Sequence, residues 1–199
     1  MDHDLLQKRA KFIGKLHSIR QEFGNKDPAV YIQIVSSYLT SFYGSNLWDL
    51  YGDASQKLLK TWNIMVRYIF NIPRETHKYL VEPISKTSHL KIKLVKRFLK
   101  FSTSISSSDK PHLKYLMNLQ ENDRRSVFGR NTVNICEESK VSSVSEVNIQ
   151  EISYNKIPEE EQYRIPLIEE LLEIRRNESL AINLSVEQIS GMINTLCIN

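Results

Sequence analysis

The chain has 199 residues, of which 41% are hydrophobic and 25% are charged, and its formal net charge is +4. This composition is ordinary for a globular protein and argues against wholesale disorder. No apolar run approaches the roughly 20 residues that a membrane-spanning helix needs, so we expect no membrane partner. The first ten residues lack the apolar segment of a signal peptide, and Cys136 and Cys197 form no Cys-x-x-Cys pair. We therefore expect an intracellular protein, of the cytoplasm or nucleus, with free thiols.

The small net charge conceals an uneven distribution. Residues 1–130 contain 22 Lys and Arg against 11 Asp and Glu, a net charge of +11. Residues 131–199 contain 5 Lys and Arg against 12 Asp and Glu, a net charge of −7. A basic body of this kind is typical of a protein that meets nucleic acid or another anionic surface. Solvated charged faces explain the same composition about equally well.

Helical periodicity begins at the N-terminus. Residues 4–23 carry one apolar stripe, which predicts an amphipathic helix. A second helix is predicted over residues 28–43, with Asp27 as its N-cap. A third is predicted over residues 54–70, with Asp53 as its N-cap.

The next predicted helices differ in length and in clarity. A short helix over residues 75–81 is expected to end at Pro83. Residues 89–104 form the most amphipathic stretch, with Ser88 as the predicted N-cap. Lys91 lies on the apolar side of that helix, so we expect its ammonium group to extend outward to solvent.

The second half of the chain has weaker periodicity. Two short helices are predicted over residues 111–121 and 123–136. The alternation over residues 145–154 is compatible with a short strand. Pro158, followed by acidic residues, begins another helix, and Ser185 begins the last one with a capping box.

These elements predict an all-α fold, a helical bundle with a linker and a small helical C-terminal extension. The predicted parts are a basic bundle over residues 1–105, short helices over 106–136, a linker over 137–157 and acidic helices over 158–199.

Common catalytic motifs are absent from the sequence. It contains no phosphate-binding glycine loop, no dinucleotide-binding glycine motif, no His-Glu-x-x-His and no Gly-x-Ser-x-Gly. His77 and His89 flank a proline-broken turn without a third ligand, so we interpret them as hydrogen-bonded structural residues. Trp48 and Trp62 lie among apolar residues and are predicted to be in the core. We therefore predict no catalytic residue, no metal site and no cofactor.

Basic residues form three clusters with few acidic neighbours. One such cluster is usually a solvated face, whereas three within 130 residues favour contact with nucleic-acid phosphates. Arg130 accompanies the third cluster. The candidate contact residues are Lys8, Lys11 and Lys15; Lys93, Lys96, Arg97 and Lys100; and Arg124 and Arg125.

Several segments resemble one known family. They include Lys-Arg-Ala-Lys-Phe-Ile-Gly at residues 8–14, Ser-Phe-Tyr-Gly-Ser-Asn-Leu-Trp-Asp-Leu at 41–50 and Asp-Arg-Arg-Ser-Val-Phe-Gly at 123–129. They resemble the region that follows the palm in reverse transcriptases of LINE-type (non-LTR) retrotransposons, of the jockey and chicken-repeat kind. The resemblance extends over nearly the whole chain, and the segment at residues 44–50 is its most specific part.

The resemblance implies a helical thumb, which grips the template–primer duplex, followed by a C-terminal extension. The metal-binding Asp-Asp pair of the family's palm has no counterpart in this sequence, and neither has a Cys-Cys-His-Cys knuckle. We therefore expect a non-catalytic, nucleic-acid-binding part of an RNA-directed DNA polymerase. The alternative is a protein–protein interaction module or a relic fragment without a selected function. In that alternative, the acidic helices of residues 158–199 dock on a partner or on the basic body itself.

Overall fold

The structure is a computed structural model that describes residues 2–23, 28–40, 42–147, 162, 164–176 and 186–198. Within those ranges it contains nine α-helices, two short 3-10 turns and no strand, which confirms the all-α prediction. The 3-10 turns are Ser45–Leu47 and Val144–Glu146. The helices are α1 (Asp2–Phe23), α2 (Pro28–Tyr38), α3 (Asp53–Phe70), α4 (Lys78–Ser85), α5 (Leu90–Ser106), α6 (Pro111–Asn122), α7 (Val127–Ser139), α8 (Arg164–Arg176) and α9 (Val186–Ile198).

Helix α3 lies at the centre of the basic half and contacts α1, α2, α4 and α5. Trp62 of α3 is 1% exposed, and its ring centroid lies 6.2 Å from that of Phe12 on α1. Phe12 also packs on Phe42, which in turn lies 5.4 Å from Trp48. Trp48 is 2% exposed, so both tryptophans belong to the core, as predicted. This row of aromatic rings joins α1, α3 and the segment that links α2 to α3.

Helices α6 and α7 form a tight pair around the residues of the 123–129 segment. Ser126 is the N-cap of α7, where its Oγ accepts a hydrogen bond from Gly129 N at 2.9 Å and donates one to Gln120 O at 2.8 Å. The carboxylate of Asp123 accepts from Arg125 N at 2.9 Å. A Cβ at Gly129 would overlap the carbonyl oxygens of Gln120 and Asp123, so the close approach of the two helices requires glycine.

Helices α4 and α7 begin three and four residues later than predicted, at Lys78 and Val127. The N-caps of two further helices also differ from the sequence prediction. The N-cap of α3 is Gly52, and Asp53 is the first helical residue, so Asp53 contributes a negative charge to the first turn instead of a cap. The N-cap of α5 is His89 and not Ser88, because the Nδ1 atom of His89 accepts a hydrogen bond from Lys91 N at 3.2 Å. Histidine is an uncommon N-cap, which is why the pattern favoured serine.

Three helix ends also differ, and one of them is that of α7, which ends at Ser139 instead of residue 136. Helix α2 ends at Tyr38, five residues before the predicted end. Helix α4 continues through Pro83 to Ser85, so the prediction that Pro83 ends the helix is wrong. The proline costs one backbone hydrogen bond in the second turn. Burial of Leu80 and Ile84 on either side of it offsets that loss.

The C-terminal helices pack on each other and on the rest of the described core. Helix α8 contacts α9 and α4, and the carbonyl of Cys197 accepts a hydrogen bond from His77 N at 3.2 Å. Ile168 and Ile193 are fully buried in the same apolar cluster as the helices of the basic half. The predicted starts at Pro158 and Ser185, the Asp27 cap and the part of the 145–154 segment from residue 148 lie outside the described residues. The four-part division of the chain therefore stays a prediction.

Candidate nucleic-acid interface

The segment between α2 and α3 is held in place by hydrogen bonds and an ion pair from α7. The fully buried side chain of Asn131 accepts a hydrogen bond from Leu50 N at 3.0 Å and donates one to Trp48 O at 2.8 Å. Asp49 accepts from Tyr51 N at 3.2 Å and forms an ion pair with Arg130 at 2.9 Å. The Trp-Asp-Leu segment is therefore an anchor, which fixes the preceding residues in position.

The preceding residues, 42–47, form a loop that we call the 42–47 loop. Its turn depends on Gly44, whose φ of 74° lies in the left-handed region that favours glycine. Lys8 of α1 donates a hydrogen bond to Tyr43 O at 2.7 Å, and its ammonium lies 4.9 Å from the centre of the Trp48 ring. Lys8 is also 3.1 Å from the carboxylate of Asp4, so its charge is partly compensated.

Arg97 of α5 reaches the same loop from the other side. Its guanidinium donates to Ser45 Oγ at 3.3 Å and to Phe42 O at 3.4 Å. Together with Lys100, it lies at the edge of a groove of about 500 Å³ between the loop and α5. The structure therefore brings together three predicted contact residues, Lys8, Arg97 and Lys100, from two distant parts of the sequence.

The other predicted contact residues of α1 and α5 do not line this groove. Lys11 and Lys15 are exposed, Lys96 is half-buried, and none of them forms an ion pair within the described part of the chain. The ammonium of Lys93 lies 5.1 Å from the centre of the Trp62 ring. Burial lowers the pKa of Lys93, and the neighbouring charge of Arg97 adds to that effect. Lys93 therefore has a packing role as well as a charge.

The third predicted cluster does not join the 42–47 loop groove. Arg124 lies in a separate groove of about 480 Å³ that also contains Glu121 and Glu137. Arg125 is exposed at the turn between α6 and α7. The guanidinium of Arg130 is occupied by Asp49 and by the carbonyl of Arg125, so Arg130 is structural.

Lys91 is buried, and the prediction that its ammonium group extends to solvent is wrong. Its side chain is 8% exposed, and Nζ lies 2.5 Å from Glu138 Oε1 of α7 and 4.5 Å from the centre of the Tyr51 ring. The Tyr51 hydroxyl donates to the other oxygen of Glu138 at 2.8 Å. Burial raises the pKa of Tyr51, and the hydrogen bond to Glu138 raises it further. A carboxylate supplied by α7 makes it possible to bury this lysine.

The two histidines have different surroundings. The ring of His89 lies 2.9 Å from the amide oxygen of Asn63, which confirms its structural role. Burial lowers the pKa of His89 to about 4, and the charges of Lys91 and Lys78 act in the same direction. His77 is exposed, and its ring stacks on Tyr79 at 5.1 Å. Within the described ranges, no three His, Cys, Asp or Glu side chains gather to hold a metal ion.

Sequence reasoning missed three residues of this region. Tyr43 lies in the loop with a 93% exposed side chain, although its spacing placed it at the end of a helix. Phe101 faces the groove at half exposure instead of facing the core. The anchoring role of Asn131 has no local signal, because its partners are 81 and 83 residues away.

No family model, curated protein or solved structure matches this chain. None of the described helices is both long and apolar enough to cross a membrane.

Proposed function

We propose that this chain is a non-catalytic nucleic-acid-binding protein, which contacts the phosphates of an RNA or DNA duplex through cations of α1 and α5. The observation that supports this most is the convergence of Lys8, Arg97 and Lys100 at one loop. The sequence resemblance to the thumb of a LINE-type reverse transcriptase points in the same direction. On this proposal the chain acts in the cytoplasm or nucleus as part of an RNA-directed DNA polymerase, without a catalytic residue of its own.

Phosphate contact fits these residues better than base recognition does. Lys11 and Lys15 are exposed on α1 and Lys100 is exposed on α5, so their ammonium groups are available to a partner. Lys8 and Lys15 are about 10 Å apart along the axis of α1, which corresponds to about three base-pair steps along the axis of a duplex. Flexible ammonium groups bind phosphate oxygens as point charges and carry no sequence information. We therefore expect recognition of charge and shape.

The alternative interaction module has less support. The apolar faces of α8 and α9 include Ile168, Ile189 and Ile193, all of which are fully buried against other parts of the chain. The centres of those faces are therefore occupied in the folded protein. The exposed apolar side chains of the two helices are Leu167, Met192 and Ile198, at 40–45% exposure, so a protein partner of α8 and α9 would bind these residues and the polar sides.

The proposal is tested by charge reversal on two faces. A variant with Lys11→Glu, Lys15→Glu and Lys100→Glu should bind a blunt RNA–DNA hybrid or DNA duplex on the order of a hundred-fold more weakly at 0.1 M salt. The matched control has Lys110→Glu, Lys114→Glu and Lys140→Glu, which change the net charge equally at exposed positions elsewhere. Fluorescence anisotropy measures both affinities, and circular dichroism checks that both variants keep their helical content. Equal losses in the two variants would contradict a defined binding face.

A further inference from the structure

Tyr43 has the highest exposure of the large hydrophobic residues that the structure describes, and it lies beside the cationic groove. The ring of Tyr43 is 93% exposed, whereas large aromatic residues are usually at least half covered. Its backbone is fixed, because Lys8 binds its carbonyl and the left-handed Gly44 follows it. The ring is therefore held outward by a defined loop.

The groove next to this ring combines apolar and cationic groups. Leu47, 55% exposed, and the half-exposed Phe101 supply apolar surface, while Arg97 and Lys100 supply positive charge. No acidic side chain is among the described residues that line it. Its volume of about 500 Å³ lies within the range of about 300–1,000 Å³ that is usual for small-molecule sites.

The polar groups of the groove have unused hydrogen-bonding capacity. Within the described residues, one nitrogen of the Arg97 guanidinium donates two hydrogen bonds, and the other nitrogens donate none. Both bonds are long, at 3.3 and 3.4 Å. The Asn46 amide lines the groove and has no hydrogen bond within the described residues. Arg97 and Lys100 suit a phosphate, and an amide suits the edge of a base.

A flat ring next to cations and a polar edge matches one chemical class of ligand, an unpaired nucleotide. Bases within a duplex are stacked on their neighbours and cannot present a face to Tyr43. A base beyond the end of a duplex can, and aromatic stacking of that kind tolerates any base. We propose that the groove binds the first unpaired nucleotide next to a duplex, with its base on Tyr43 and its phosphate between Arg97 and Lys100. This inference rests on the proposed duplex binding by α1 and α5.

The test compares one duplex with blunt ends against the same duplex with a three-nucleotide 3′ or 5′ overhang. Wild-type protein should bind at least one of the overhang duplexes about tenfold more tightly than the blunt one, the gain expected from one stacked base. Tyr43→Ala should remove this difference and leave blunt-duplex affinity unchanged, whereas Tyr43→Phe should keep it. Tyr115→Ala is the matched control, because Tyr115 is also well exposed but lies on α6, outside the groove.

A second readout detects the stacking itself. With 2-aminopurine as the first unpaired base, binding of the wild type should quench its fluorescence, and binding of Tyr43→Ala should not. Equal affinity for blunt and overhang duplexes, or a preference that survives Tyr43→Ala, would overturn the inference and leave duplex binding intact. Failure of the wild type to bind any blunt duplex would instead contradict the proposed function, and this inference with it.

Discussion

The two ends of α5 carry the same kinds of side chain in different surroundings. At its N-terminal end, His89 and Lys91 are buried and have partners on α3 and α7. Towards its C-terminal end, Lys96 and Lys100 have no ion-pair partner among the described residues, and Arg97 binds only the 42–47 loop. At one end of α5 a positive charge is thus paired within the core, and towards the other end positive charges lie at an open groove.

The difference comes from the polar side chains of α7, a helix that also packs Phe128 on Phe98 further along α5. Its Glu138 compensates Lys91, and its Asn131 and Arg130 anchor the segment that precedes α3. The buried end of α5 and the loop anchor therefore depend on the same helix. A row of basic residues becomes available for binding only where the fold supplies no opposing carboxylate.

The largest effect on stability is expected from replacement of Trp62, which lies beneath Lys93 of α5. Trp62→Ala removes a buried ring that contacts Phe12 and lies under Lys93, and should lower the free energy of unfolding by about 3–5 kcal/mol. Tyr68→Ala on the same helix is the control, since Tyr68 is half exposed and should cost less than about 1 kcal/mol. Urea denaturation measures both. Equal costs would show that Trp62 is not part of the core.

The buried end of α5 should also make stability depend on pH. The pKa of His89 falls from its ordinary 6.5 to about 4 in the folded protein, so folding favours the neutral ring. The neutral ring of His89 therefore contributes to the free energy of unfolding. This contribution is fully present above about pH 6.5 and is lost as the pH falls towards 4, by about 3 kcal/mol in total. Burial raises the pKa of the neighbouring Glu82, so protonation of Glu82 in acid offsets part of that loss.

Chemical denaturation at pH 7, 5.5 and 4.5 measures this effect. His89→Asn keeps a capping oxygen without a titrating ring, so its stability should fall less over the same range. An identical pH profile for the wild type and His89→Asn would assign the acid sensitivity to other groups.

Charge removal should have opposite consequences at the two ends of α5. Glu138→Ala leaves the buried ammonium of Lys91 without its carboxylate, and should cost about 2 kcal/mol of stability. The figure is below that of a fully buried pair because Glu138 is itself half exposed. Lys100→Ala should change stability by less than about 0.5 kcal/mol.

For duplex binding, the effects of these two substitutions should have the reverse order. Lys100→Ala should weaken binding several-fold, while Glu138→Ala should leave it nearly unchanged in the folded population. A binding loss in Glu138→Ala that matches the loss in Lys100→Ala would remove the distinction between the two ends.

Much of the fold follows from local patterns, while the site depends on distant contacts. The 3.6-residue period of apolar residues was sufficient to predict that the helices of the basic half exist and that Trp48 and Trp62 are buried. The burial of Lys91 could not be predicted, because its partner Glu138 is 47 residues away in the sequence and no local pattern indicates the contact. The same holds for Asn131. The basic residues of α1 and α5 were found from their spacing, but their convergence on the 42–47 loop is a property of the tertiary structure.

The direct test of the central proposal is the salt dependence of duplex binding. If four to six cations of α1 and α5 bind phosphates, the plot of log affinity against log salt should have a slope of about −4 to −5. Binding should then weaken about 250- to 1,000-fold between 50 and 200 mM salt. The variant with Lys11→Glu, Lys15→Glu and Lys100→Glu should have a slope less steep by about 3. A wild-type affinity that does not change with salt, or an unchanged slope in that variant, would contradict phosphate binding by this face.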